Sequence, residues 1–219
     1  MTASQKIFIT GASSGIGAAM AMEYAKRGAA LGLAARRKEK LEQIAQECST
    51  QGAKHVETYS LDVKDADASE RIAKEFMSLG EEGIDTVIAN AGLAISDQLS
   101  KGESSRINHL LNTNILGVTN TIIPFIPQMK KQKQGKCVIV SSIAAFNPMP
   151  YFGGYGASKV AVRMLADSWR KTLLKHNIQF TTICPGYIKS EMTDVNEFHM
   201  PFLMNTCLLY TSPSPRDRG

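Results

Sequence analysis

The chain has 219 residues, 43% of them apolar and 21% charged, with a formal net charge of +5. This length and balance support one ordinary folded domain and argue against disorder. The mild positive charge is spread along the chain, and its densest stretch, residues 130–136, has no interleaved aromatics. It reads as a solvated helix end leading into a strand and not as a nucleic-acid patch.

Four cysteines (48, 137, 184, 207) and four histidines (55, 109, 176, 199) lie far apart, which suggests neither a disulfide framework nor a metal site. A reducing cytosol fits this pattern. The N-terminal apolar run Ile7-Phe8-Ile9 is shorter than a signal peptide requires. No run approaches the ~18 apolar residues of a membrane span. The expectation is a cytoplasmic protein with no metal, no nucleic-acid partner and no membrane span.

In chain order, Lys6–Thr10 reads as a short apolar strand, followed by a glycine-rich turn and a helix to about Arg27. Ala30–Ala35 reads as a second strand and residues 38–51 as a charged amphipathic helix. Further strands are expected at 55–60, 84–89, 136–141 and 178–184, with helices at 65–79, 103–131 and 155–176. The second of these helices is expected to break near Pro124 and Pro127. Such alternation predicts an α/β fold: a Rossmann-like, doubly wound parallel sheet with helices on both faces. Strands apolar throughout, such as TVIAN and CVIVS, suit a sheet covered on both sides.

The first turn, TGASSGIG (residues 10–17), places Gly11, Gly15 and Gly17 between a strand and a helix. Such glycines let backbone approach a pyrophosphate, which the helix N-terminus attracts. Glycines serving only a tight turn are the plain alternative. After the second strand the chain reads LAARRKEK: Arg36 and Arg37 follow directly, and no carboxylate intervenes before Glu39. Arginine there suits the 2′-phosphate of NADP, where an acid would suit NAD. The bland alternative is that both arginines simply begin the charged helix.

TGASSGIG, LDV (61–63), NAG (90–92), NTNILG (112–117), VSS (140–142), YGASK (155–159) and PGYIKS (185–190) occur in an order that resembles the short-chain dehydrogenase/reductase family, classical type. The resemblance covers residues 5–204. It implies a catalytic tetrad: Tyr155 as general acid/base, Lys159 as its partner, Ser142 thirteen residues earlier to hold the substrate oxygen, and Asn114 in a proton relay. It implies cofactor contacts from Thr10, Gly11, Ser13, Ser14, Gly15, Ile16 and Gly17, from Arg36 and Arg37, and from Asp62 and Val63 beside the adenine. Asn90, Ala91 and Gly92 would stand beside the adenosine ribose, Tyr155 and Lys159 beside the nicotinamide ribose, and Pro185, Gly186, Ile188 and Ser190 beside the nicotinamide. Ala89 stands where the family often has a first Asn, and Ser190 where it often has Thr.

The implied activity is hydride transfer between NADP(H), preferred over NAD(H), and a carbonyl or alcohol. A phenol of pKa ~10 needs about 4 kcal/mol of differential stabilisation to fall by ~3 units. One cation at ~4 Å supplies about that much at an effective dielectric of 20, the role expected of Lys159. The substrate pocket is expected from residues 93–98, 144–153 and 187–204, with Phe146, Met149, Tyr151, Phe152, Tyr187, Met192, Phe198, Met200, Phe202 and Leu203 suiting an apolar ketone or aldehyde. A 3-oxoacyl-thioester reductase is a narrower alternative. A non-catalytic dinucleotide-binding protein, or an inactive fragment, is the alternative of another class. The family's long helices imply a homo-oligomer.

The expected domain is residues 1–204. Residues 205–219, NTCLLYTSPSPRDRG, hold two Ser-Pro pairs that cannot continue a helix, where the family usually adds a helix and a last strand. They read as an atypical tail of non-coding or adaptor origin; a divergent natural terminus is the alternative. On the first reading the strand at 178–184 keeps an unpaired edge.

Overall fold

A computed structural model describes residues 4–80, 83–191, 193, 200 and 202–206. Met192, Phe198, His199 and Cys207, named above, lie outside the described residues, as does most of the 205–219 segment.

Six strands form one parallel sheet: β1 (Lys6–Thr10), β2 (Ala30–Ala35), β3 (His55–Ser60), β4 (Thr86–Ala89), β5 (Gly135–Val140) and β6 (Ile178–Ile183). Their order is β3-β2-β1-β4-β5-β6, so β1 is central and, among the described residues, β6 stands at an edge. The helices are α1 (Gly15–Lys26), α2 (Lys38–Thr50), α3 (Ala66–Ser78), α4 (Ser105–Leu111), α5 (Gly117–Ile122), α6 (Ile126–Gln132) and α7 (Gly153–Leu173).

The apolar strands are buried on both faces, which is why they lack polar alternation. Ile7 and Ile9 of β1 join Leu31, Leu33 and Ile88 in the core under α1 and α2. Phe8, between them, joins the opposite core under α3, α5 and α7. There its ring lies 5.5 Å from Phe76 and 5.1 Å from Phe125, centroid to centroid. The helix expected at 103–131 is broken as its prolines require: a 3₁₀ turn at Ile123–Phe125 carries Pro124, and Pro127 opens α6. A second interruption has no proline to announce it. Asn112–Leu116 is a π turn inside the helix, between α4 and α5.

Candidate active site

The chain leaves β1 toward β2 on one side and later returns through β4 on the other. Their following loops therefore diverge at the carboxyl end of the sheet, and a crevice opens there. A cleft of about 490 Å³ occupies it, lined by the segments after β1, β2, β3, β4, β5 and β6 and by the start of α7.

The glycine turn forms one end. Gly11 has φ +67° and Gly15 φ +56°, both in the left-handed region. A Cβ on Gly17 would stand 2.4 Å from the Gly11 carbonyl oxygen, so this glycine lets α1 pack against the turn. Asn90 braces the turn from β4: its Nδ2 donates to the carbonyls of Thr10 (3.1 Å) and Gly11 (3.2 Å). The backbone N–H groups of Asn90 and Ala91 reach Thr10 Oγ1 at 3.3 and 3.4 Å. Gly11, Ser13, Ser14, Gly15, Ile16, Asn90, Ala91 and Gly92 line the cleft; Thr10 and Gly17 do not, and act behind it.

The N-terminus of α1 has no acid to close it. Ser14 at its N-cap makes no side-chain cap, and no acid stands in its first turn. By contrast, Asp65 caps α3 on Ala68 N. The acid-free end of α1 fits an anionic group such as a pyrophosphate, which the helix dipole favours.

Arg36 and Arg37 line the same end, with Asp62 and Val63 opposite. Arg37 donates through Nη2 to Ser13 Oγ (3.1 Å) and Ser14 Oγ (2.7 Å). Its Nη1 bonds the Glu191 carboxylate, which also takes the Lys40 ammonium. Those two hydrogen bonds, Lys40 first, hold the Glu191 carboxyl down at about 2. Asp62 Oδ1 accepts from Lys64 N at 3.1 Å.

Ser142, Tyr155 and Lys159 line the other end. Ser142 caps a 3₁₀ turn at Ile143–Ala145, accepting from Ala144 N at 3.1 Å. Lys159 is 7% exposed; its Nζ donates to the Val140 carbonyl at 2.9 Å and stands 5.6 Å from the Tyr155 ring centroid. Burial lowers its pKa to about 8, against an opposing effect of Cys184. Burial raises Tyr155, with the Ser142 hydrogen bond working the other way. The expected lowering of the phenol by Lys159 is therefore not found. Lys159 is buried and Tyr155 half-buried, and the ammonium is bonded to a carbonyl.

Asn114 is 1% exposed and behind the cleft wall, in the π turn. Its Oδ1 accepts from Leu93 N (2.7 Å), and its Nδ2 donates to Leu93 O (2.9 Å) and Ser158 Oγ (3.0 Å). Ser158 Oγ in turn donates to Tyr155 O at 2.7 Å. The side chain thus ties the loop after β4 to α7, and the π turn is what aims it there. π turns concentrate at functional sites.

Pro185, Gly186, Ile188 and Ser190 all line the cleft, as do Met149, Phe152 and Tyr187. Phe146, Tyr151, Met200, Phe202 and Leu203 do not. Tyr151 and Phe202 are 77% and 94% exposed, and Phe146 stacks on Arg163 at 4.8 Å. Lengths of loop that turn outward carry their aromatics with them, which residue type alone does not reveal.

Sequence reasoning missed Asp97. It is 6% exposed, and its carboxylate accepts from Gly153 N (2.6 Å) and Gly154 N (3.0 Å), capping α7 two residues before Tyr155. Its own N–H donates to the carbonyl of Tyr151, which has φ +67°. The Gly-Gly pair was the available signal: a Cβ on Gly153 would lie 2.9 Å from Asp97 Oδ2.

A family model described as short chain dehydrogenase matches residues 5–199. The chain is 38% identical over 199 residues to an uncharacterized oxidoreductase of Myxococcus xanthus, covering 90% of this chain and 78% of that one. It is 37% identical over 194 residues to 11-beta-hydroxysteroid dehydrogenase 1A of Arabidopsis thaliana, covering 88% of this chain and 54% of that one. Among solved structures it is similar to an alcohol dehydrogenase from the archaeon Thermococcus sibiricus complexed with 5-hydroxy-NADP. The TM-score is 0.84 at 28% identity, covering 94% of this chain and 87% of that one.

Proposed function

Because the chain belongs to the short-chain dehydrogenase family, as an oxidoreductase with a nicotinamide-cofactor fold, we propose that it is an NADP(H)-dependent reductase of apolar ketones or aldehydes in which Tyr155 is the proton donor. The observation that carries this reading is one cleft with two chemically distinct ends. The acid-free mouth of α1 and Arg37 stand at one end, and Tyr155, Ser142 and Lys159 at the other.

The bound cofactor supplies the hydride. Gly11, Gly15, Ser13 and Ser14 would receive its pyrophosphate, and Arg37 its 2′-phosphate. The phosphate in the Thermococcus sibiricus complex supports this choice by likeness alone. Ser142 holds the substrate oxygen, and Tyr155 gives that oxygen its proton. Because burial raises the phenol, it stays protonated at neutral pH, which suits a proton donor and hence reduction. Lys159 remains a cation below its pKa of about 8 and stabilises the phenolate left after proton transfer. Met149, Phe152 and Tyr187 give the substrate end an apolar wall, and the likeness to a hydroxysteroid dehydrogenase favours a bulky ketone. Leu116 and Ile123 (each 52% exposed), with Val160 (39%) and Met164 (61%) on α7, support pairing of two copies through these helices.

The test is Tyr155→Phe, assayed by NADPH consumption over a panel of apolar ketones. Turnover should fall by roughly 10²-fold or more while NADPH affinity, read by fluorescence titration, stays unchanged. Undiminished turnover in this variant would falsify the assignment of Tyr155.

A further inference from the structure

At the phosphate end, one anion is already in place. Glu191 comes from the segment after β6 and lines the cleft opposite the glycine turn, 154 residues along the chain from Arg37. Its two carboxylate oxygens take separate cations, Oε2 the Arg37 guanidinium and Oε1 the Lys40 ammonium. The other arm of the guanidinium rests on Ser13 and Ser14, the residues at the mouth of α1.

The charge pattern at the start of α2 gives the same indication. Arg37 is the N-cap of α2, and Lys38 and Lys40 occupy its first turn, beside Arg36. Cations at the positive end of a helix oppose its dipole. An anion among its members offsets that repulsion, and Glu39 is the one acid of that turn. Both Glu191 and Arg37 are about half exposed, so the pairing is reversible by a better anion.

We propose that Glu191 is an internal competitor of the cofactor's 2′-phosphate: it occupies the anion seat of Arg37 and Lys40 and must vacate it for NADP(H) to bind. Lys40 is on this account a further specificity-determining residue, invisible in the cleft lining because its charge reaches the seat only through its long side chain. The inference rests on the NADP(H) reading above. A divalent phosphate offers more charge than a carboxylate, so it wins the seat, whereas a cofactor lacking that phosphate has no reason to displace Glu191. The device thus sets the absolute affinity for NADP(H) without touching the affinity for NAD(H).

The experiment is a fluorescence titration of NADPH and NADH with wild type, Glu191→Gln, Lys40→Gln and Arg37→Gln. Glu191→Gln keeps the side chain's size and removes its charge. Its NADPH Kd should fall about three- to tenfold, the scale of one or two exposed ion pairs, and its NADH Kd should not move. Lys40→Gln should weaken NADPH binding several-fold and leave NADH unchanged. If wild type prefers NADPH, Arg37→Gln abolishes that preference, and Glu191→Gln changes nothing or weakens binding, the competitor proposal is overturned while the cofactor reading stands. A Glu191→Gln effect equal for the two cofactors overturns it as well, because the residue then acts on the cleft and not on the 2′-phosphate. If all four proteins bind both cofactors equally, the cofactor reading itself fails and takes the proposal with it.

Discussion

Two helices point their N-termini into the same cleft, and they are finished in opposite ways. The mouth of α1 has no side-chain cap and no acid in its first turn. The mouth of α7 is closed by Asp97, a buried carboxylate that accepts from the first two N–H groups of the helix. An open helix end is an anion site waiting for an outside ligand. A closed one is a fixed mount. In α7 the internal anion satisfies the donors, so the helix end holds Tyr155 in place two residues later and does not draw in a phosphate. On the proposed function, the difference separates binding from chemistry at the two ends of one crevice.

The strongest way to break this contrast is to close α1. Ser14→Asp would cap the helix from within and place a carboxylate against Arg37, which now bonds the Ser14 hydroxyl. Helix capping should raise stability by up to about 1 kcal/mol. NADPH binding should weaken by roughly a hundredfold, since the pyrophosphate loses its donors and meets a like charge. Unchanged binding in a titration would mean that the cofactor phosphates do not use this helix end.

Opening α7 is the reverse experiment. Asp97→Ala removes two charge-assisted hydrogen bonds and leaves the N–H groups of Gly153 and Gly154, the second of them buried, without this acceptor. Denaturant unfolding should show a loss of about 3 kcal/mol. In protein that stays folded, kcat should fall and the NADPH Kd should hold, because the mount of Tyr155 is loosened and the glycine turn is not. Asp97→Asn, which keeps one acceptor, should recover part of the kcat. An equal rise in the cofactor Kd would show that the two helix ends are not independent.

The smallest expected effect concerns the charge that α7 carries. Lys159 falls from 10.5 to about 8 on folding. Below pH 8 both the folded and unfolded chains are protonated there, and the folded chain bears a burial penalty of about 3 kcal/mol. Between pH 8 and 10.5 the unfolded chain holds the proton and the folded one does not, so wild-type stability rises with pH across that window. Lys159→Met should therefore be inactive yet more stable at pH 7 by about 1–2 kcal/mol, after loss of the Val140 hydrogen bond. Its advantage in thermal melts should shrink as pH climbs toward 10. A Met variant that is less stable at every pH would show that the ammonium is solvated more fully than its surroundings suggest.

Legibility in the sequence follows the range of the interactions. The alternation of apolar strands and helices, the break at Pro124, the glycine turn and the Tyr155–Lys159 spacing are all set within a few residues of the chain. Each is legible in the residues alone. The π turn at Asn112–Leu116 is not, because nothing in NTNIL differs in kind from an ordinary helical stretch. It exists because Asn114 must reach Leu93 and Ser158, which lie on other elements. Asn90 is expected as a ribose neighbour and lines the cleft, but that its side chain also braces the glycine turn is not legible locally. Asp97 escapes a local reading because its partners stand 56 and 57 residues further on.

The sequence by itself determined the fold class, because periodicity and glycine placement are local, and its ordered motifs carried the resemblance to the family and, through it, the candidate proton-moving groups. Only the tertiary structure decided in what state those groups wait. Whether Tyr155 is raised or lowered, what Lys159 bonds, and which anion sits on Arg37 depend on burial and on partners brought in by distant segments. Burial is a property of what covers a residue, and β6, the loop after β4 and the start of α7 cover these residues only once the sheet has assembled.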